Sequence, residues 1–172
     1  ETEHVDVVKA FTRNKLVEEV YGEQMEKFVE GGYLPDGRPK KVCKFLMGLE
    51  GLKQAGNTHQ KNNVSHIVNN CKMRQSVIEP TLFYRHFKNG ILLLLVWVDD
   101  IWAAFTPGSR RTIFDPFMLV YQTRYPCKRL GPIKRFVSID VAQSESYDEL
   151  TLSMESYLTN MIPKYLSKDE LE

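Results

Sequence analysis

A chain of 172 residues that is 42% hydrophobic and 26% charged has ordinary globular make-up, which excludes a disordered or low-complexity segment and is long enough for one domain with a real core. Its 23 basic and 22 acidic side chains leave a formal net charge of +1, which excludes the strong basic excess of a protein that grips nucleic acid unaided. Three scattered cysteines, Cys43, Cys71 and Cys127, form no C-x-x-C and point to small core thiols in a reducing, intracellular compartment, with cytoplasm, nucleus and organelle all open.

In chain order, "HVDVVKAF" (4–11) reads as a short strand ending near Asp6. The stretch 14–28 has Leu16, Val17 and Val20 on one helical face, but Gly22 limits a helix there. "GGYLPDGRP" (31–39) is a loop and "KVCKFLMGL" (41–49) a strand. From Lys53 to Met73 a helix is expected, with Val64, Ile67, Val68 and Cys71 at i, i+3, i+4, i+7 and a very polar first half. "TLFYRHF" (81–87), the reversal "KNG" (88–90) and "ILLLLVWV" (91–98) predict a hairpin. The last run is too short to span a bilayer as a helix, so no membrane insertion is expected.

"IWAAF" (101–105) predicts a second hairpin with Asp99-Asp100 at its tip. A helix follows over 109–125, with Asp115-Pro116 as an internal start signal. Strands over 133–143 and 149–154 flank an acidic turn, and a helix over 154–166 meets Pro163. The order β-β-α-β-β-β-α-β-β-α is that of an α+β fold, an antiparallel sheet with helices on one face, in a single domain over 1–172. The chain opens without a methionine, as a fragment or processed product does.

Two adjacent aspartates inside the most apolar segment require an explanation, since charges among apolar neighbours are costly unless paired, solvated or bound to a cation. Surface capping of a turn is the plain explanation. Against it stand the almost wholly apolar flanking strands and a third aspartate, Asp6, at the end of another strand. His59 and His66 could share a helix face near Cys71, but no fourth ligand follows, and a satisfied surface pair is favoured over zinc.

The residues around these acids resemble a known pattern. "VWVDD" is similar to the Y-V-D-D of reverse transcriptases, and "VDVVKAF" to D-V-K-T-A-F. "VEEVYGEQMEKFV" is similar to E-E-I-Y-M-E-Q-P-E-G-F, and "VCKFLMGLEGLKQA" matches V-C-K-L-K-K-S-L-Y-G-L-K-Q-A without a gap. "EPTLFYR" resembles D-P-C-L-F, and "KRLGPIKRFVSIDV" resembles K-D-L-G-E-L-K-Y-F-L-G-I-E-V. Six motifs in one order resemble the reverse transcriptase (RNA-dependent DNA polymerase) of copia-type LTR retrotransposons.

The resemblance implies a polymerase palm with fingers and thumb largely missing, and nucleotidyl transfer by two magnesium ions, or manganese in their place, if the chain is active. It implies that Asp6, Asp99 and Asp100 hold the metals, with the Val7 carbonyl as an extra ligand. By the same likeness Phe11 presses on the sugar, Gln54 contacts the nucleotide beside it, and Trp97 lies near the primer terminus. Plain core packing for Phe11 and Trp97, and helix capping for Gln54, stay open. RNA or an RNA/DNA primer–template is the implied partner.

Departures from the pattern leave other readings standing. Where the family has A-P-R-x-W-Y this chain has "AGNTHQ", so arginine becomes Asn57 and the large aromatic His59. Glu50 replaces a tyrosine and Ser138 a glycine. One alternative is a domesticated, inactive palm serving as a structural subunit with protein partners in a larger assembly. Another is a non-catalytic RNA-binding module using "FYRHFK" (83–88) and "YQTRYPCKR" (121–129).

Overall fold

The computed structural model describes residues 1–165. In chain order these form β1 (Thr2–Val7), β2 (Lys15–Glu23), β3 (Val42–Met47), α1 (Lys53–Ser65), β4 (Arg74–Gln75), β5 (Leu82–Phe87), β6 (Gly90–Trp97), β7 (Asp100–Phe105), α2 (Asp115–Tyr121), β8 (Cys127–Gly131), β9 (Arg135–Phe136), β10 (Ile139–Gln143), β11 (Leu150–Ser153) and α3 (Glu155–Met161). Every strand pairing is antiparallel. The chain falls into two compact units, one of Glu1–Val8 with the chain from His66 onward, the other Lys9–Ser65.

The first unit is built on a six-stranded sheet of order β4-β5-β6-β7-β1-β8. Alternation decides its faces. Val5, Val7, Phe83, Leu92, Leu94, Ile101, Ala103 and Phe105 are buried, and their register places them on one side. Helical residues cover that side. Phe105 stacks on Phe114 at 4.8 Å and 6°, and the contact continues through Phe117, Tyr121 and Tyr125. A buried ionic knot fastens the same layer, in which Arg110 and Arg129 both bind the Glu3 carboxylate, at 2.7 and 3.0 Å. On the opposite side, Ile133, Phe136 and Val141 of the small β11-β10-β9 sheet region pack against Leu95 and Trp102. Coverage on both sides explains why β6 reads as a continuous apolar run rather than an alternating one.

In the second unit β2 pairs with β3, and α1 follows. The expected partial helix over 14–28 is therefore a strand. The reason lies in Gly22, where a Cβ would stand 2.7 Å from the Phe45 ring. The bare backbone lets the cross-strand aromatic lie over it, and β-branched Val17 and Val20 suit the pleat. Helix α1 buries Ala55, His59 and Asn63, a four-residue stripe that is mostly polar.

Other expectations shift by local chemistry. The helix foreseen over 53–73 ends its regular turns at Ser65 and continues as a wider turn, His66–Asn70. The single strand foreseen over 133–143 is two, β9 and β10, reversed at Val137 (φ 46) and Ser138 (φ 70). The last helix spans Glu155–Met161 with a tighter turn Ile162–Lys164, and residue 166, its expected end, lies outside the described residues. His59 and His66 are both buried rather than on a surface, and His66 donates from Nε2 to the Tyr121 carbonyl at 3.2 Å. Among the described residues no helix is long and apolar enough to cross a membrane.

Two predictions follow from this packing. A non-glycine residue in the left-handed region costs about 1–2 kcal/mol, and glycine's extra unfolded-chain freedom returns about 0.5–1 kcal/mol. Ser138→Gly therefore raises the unfolding free energy by about 0.5–1 kcal/mol, read from urea midpoints. The second concerns thiols. Burial pushes Cys71 up to about 12, and burial with the nearby Asp6 carboxylate does the same for Cys127, whereas Cys43 is exposed. A disulfide reagent near neutral pH should label one thiol rapidly, with Cys71 and Cys127 following only as the fold opens. Both raised values favour the fold below the ordinary thiol value of 9.0 and cease to do so as pH climbs to about 12, so urea midpoints should fall over that alkaline range.

Candidate nucleic-acid polymerase site

Strand register sets the site. Asp6 on β1 faces Asp100 on β7, Asp100 faces Trp97 on β6, and Asp6 faces Lys128 on β8. Directly facing residues share one side of a sheet, with Cβ atoms roughly 4.5–5.5 Å apart. Lys128, Asp6, Asp100 and Trp97 thus form a row across four strands, on the side opposite the helical layer. Ninety-four positions of sequence separate Asp6 from Asp100, and the ladder alone brings them together.

The β6–β7 connection is only Val98 and Asp99. Val98 sits at φ 55, a conformation that a β-branched side chain resists and that a two-residue hairpin favours. The turn is held in that shape, since the Asp99 carbonyl accepts the Val7 amide proton at 2.8 Å. Asp99 is exposed at the tip, while Asp6 and Asp100 are half-buried. The Val7 side chain is 2% exposed and faces the helical layer, so its backbone rather than its side chain meets the turn.

Two neighbours were not foreseen. The His4 imidazole lies with Nε2 3.0 Å from Asp100 Oδ1. Its signal was available, because residues i and i+2 of a strand share a face and His4 precedes Asp6 by two. Lys128 had no such signal, since β8 carries no alternating pattern in "CKRLG". The row is electrostatically mixed: an exposed ammonium flanks Asp6 on one side and a second carboxylate on the other, with His4 against that second carboxylate.

Carboxylate oxygens suit hard cations such as magnesium or manganese, and Asp6 with Asp100 supplies such a donor pair. Among the described residues no three His, Cys, Asp or Glu side chains converge as a ligand group. Asp99 stands out at the turn and Asp100 is engaged by His4.

Phe11 and Gln54 belong to the second unit. Phe11 opens a short 3-10 turn, Phe11–Arg13, and Gln54 lies in the first turn of α1. Both are half-buried. The Phe11 ring meets His59 edge-on, with centroids 5.9 Å apart at 76°. The substituted Glu50 and Asn57 are exposed.

The stretches suggested for RNA contact are used partly in packing. Phe83, Tyr121 and Tyr125 are buried, Arg85 donates to the Cys71 carbonyl, and Arg129 binds Glu3 and Asp115. His86, Lys88, Arg124 and Lys128 of the same stretches remain exposed.

Comparison with known proteins agrees with the motifs. The reverse transcriptase (RNA-dependent DNA polymerase) family matches residues 1–169. The retrovirus-related Pol polyprotein from transposon TNT 1-94 of Nicotiana tabacum is 26% identical over 98% of this chain and 12% of its own length. The corresponding polyprotein from transposon RE1 of Arabidopsis thaliana is 26% identical over 93% of this chain and 10% of its own length. That from RE2 of the same plant is 24% identical over the same shares. The chain therefore spans about a tenth of the length of these curated relatives. No solved structure matches it. With the match running over nearly the whole sequence, the chain belongs to the reverse transcriptase (RNA-dependent DNA polymerase) family.

Proposed function

We propose that this chain is the palm portion of an RNA-directed DNA polymerase, a single functional domain over 1–172 that works inside a longer Pol polyprotein in a reducing, intracellular compartment. The observation that carries the reading is the direct pairing of Asp6 with Asp100 beside the strained Val98-Asp99 turn, in a chain whose family match covers residues 1–169. Asp6, Asp99 and Asp100 are the residues that would hold two magnesium ions, or manganese, with the Val7 carbonyl as a further oxygen donor. When bound, such ions activate a primer hydroxyl and stabilise the departing pyrophosphate.

The chain's own groups divide the remaining work. Lys128, beside Asp6, offers a point charge to nucleotide phosphates. Trp97, 52% exposed at the end of β6, presents a ring to the primer terminus. Phe11 restricts the sugar and Gln54 contacts the nucleotide next to it. His4 holds Asp100 in place when no cation does.

A second reading has specific support. Asp100 already has a partner, the acids do not converge as a three-ligand group among the described residues, and Glu50, Asn57 and His59 depart from the family pattern. In that reading the fold is reused, without chemistry, as a subunit of a larger assembly.

Primer extension separates the two. A Pol protein carrying this chain should extend a DNA primer on an RNA template only with magnesium or manganese present, and chelation should stop it. Asp99→Asn should reduce extension to background, while Leu119→Ser on the exposed face of α2 should leave it intact. Equal extension by the asparagine variant removes the metal role from Asp99. Absence of extension by the unaltered protein with either metal favours the reused subunit.

A further inference from the structure

Phe11 is held by a small cluster of buried polar side chains in the second unit. Its ring packs edge-on against His59, an arrangement that aromatic quadrupoles favour. His59 is 1% exposed and so is Asn14. The Asn14 amide is tied at three points: Nδ2 donates to the Ala10 carbonyl at 2.8 Å, the same nitrogen lies 3.1 Å from His59 Nδ1, and Oδ1 accepts from Asn62 Nδ2 at 3.0 Å. With the amide nitrogen donating, Nδ1 of His59 must carry the lone pair, so the imidazole is neutral and its proton sits on Nε2. Ring orientation and tautomer are fixed together.

A second, independent contact fixes the backbone of the same residue. A Cβ built at Gly48 would stand 2.6 Å from the Phe11 carbonyl oxygen and 3.3 Å from the Ala55 Cβ. The Gly48 amide donates to the Asn14 carbonyl at 2.8 Å. Any side chain at position 48 must therefore push the Phe11 backbone, because a carbonyl oxygen cannot rotate away as a flexible side chain does. Where the pattern quoted above has serine this chain has Gly48, and where it has tryptophan it has His59. Both departures bear on Phe11.

We propose that His59, oriented by Asn14, is the positioning residue for the Phe11 ring, and that with Gly48 it sets how strongly this polymerase discriminates deoxyribonucleotides from ribonucleotides. The proposal rests on the assignment of Phe11 to the nucleotide sugar. His59 touches no substrate; it acts through the ring it supports. A half-buried ring packed on one edge blocks a hydroxyl only if that edge cannot yield.

The test has two arms. In the first, 4-fluorophenylalanine replaces Phe11 in the 172-residue chain, and its fluorine resonance is followed in His59→Ala and Gly48→Ala. Both substitutions should shift and broaden the signal, while thermal unfolding shows that the variant is folded. Should His59→Ala not fold, His59→Gln keeps an acceptor for Asn14, loses the ring edge, and serves in its place. In the second arm, the Pol protein carrying the chain extends a primer with deoxy- or ribonucleotides. His59→Ala should raise relative ribonucleotide use, as a ratio of kcat/KM values, by about tenfold, since small misplacements near reacting groups carry effects of that order and larger. Primer–template affinity should stay unchanged.

An unmoved fluorine signal in a folded His59 variant overturns the positioning claim. An unchanged sugar ratio in a variant that still extends overturns its consequence. Failure of the unaltered protein to extend with deoxynucleotides sinks the polymerase reading instead, and the fluorine arm still decides whether His59 holds the ring.

Discussion

The pairing of β1 with β7 is the constraint on which the rest of the first unit depends. It joins the start of the chain to a strand about a hundred positions later, and it does so in one register, with Val5 opposite Ile101 and Asp6 opposite Asp100. A slip by one residue would turn Val5 and Val7 away from the aromatic layer of Phe105, Phe114, Phe117 and Tyr121, and would bury the aspartate in their place. Burying an unpaired carboxylate among apolar side chains costs several kcal/mol, on the order of the whole stability of a domain. The core therefore specifies the register, and the register specifies the site.

That arrangement accounts for the position of charge in the most apolar part of the sequence. Each residue of β6 and β7 whose side chain faces the helical layer is apolar, and acids occur only where the hairpin leaves the covered area. The Glu3 carboxylate is the exception on β1's buried side, and two guanidinium groups meet it there. The same sheet thus shows two solutions for a buried or half-buried acid: two guanidinium partners for Glu3, and a single imidazole contact from His4 for Asp100. The left-handed Val98 places backbone strain beside the second acid and not beside the first.

Much of the first unit was legible in the sequence because its signals are local and strong. The hairpin over 81–98 and the strand after Asp99-Asp100 rest on apolar runs and turn residues, and the structure has both; of the helix over 109–125 it has a wider turn over Arg110–Phe114 and α2 over Asp115–Tyr121. Failures share a cause, namely that a neighbour distant in sequence overrode local preference. β2 is a strand because Phe45 lies over Gly22. β8 exists because β1 needed an outer partner, although "CKRLG" has no strand pattern. Helix α1 buries His59 where Asn14 meets its Nδ1, so the buried face of its polar first half has no apolar spacing to read. Lys128 went unassigned for the same reason as β8, and His4 could have been found by counting two residues back from Asp6.

From the amino-acid order alone came the family likeness, the three acids as candidates, and the antiparallel α+β character, since motif letters, turn residues and apolar spacing are written along the chain. Only folding decided which acid faces which, that Asp100 meets His4, that Lys128 stands beside Asp6, and that a buried histidine packs against Phe11. Those facts are contacts between residues tens of positions apart, and they are set by strand register in the first unit and by packing against α1 in the second rather than by any short run of letters.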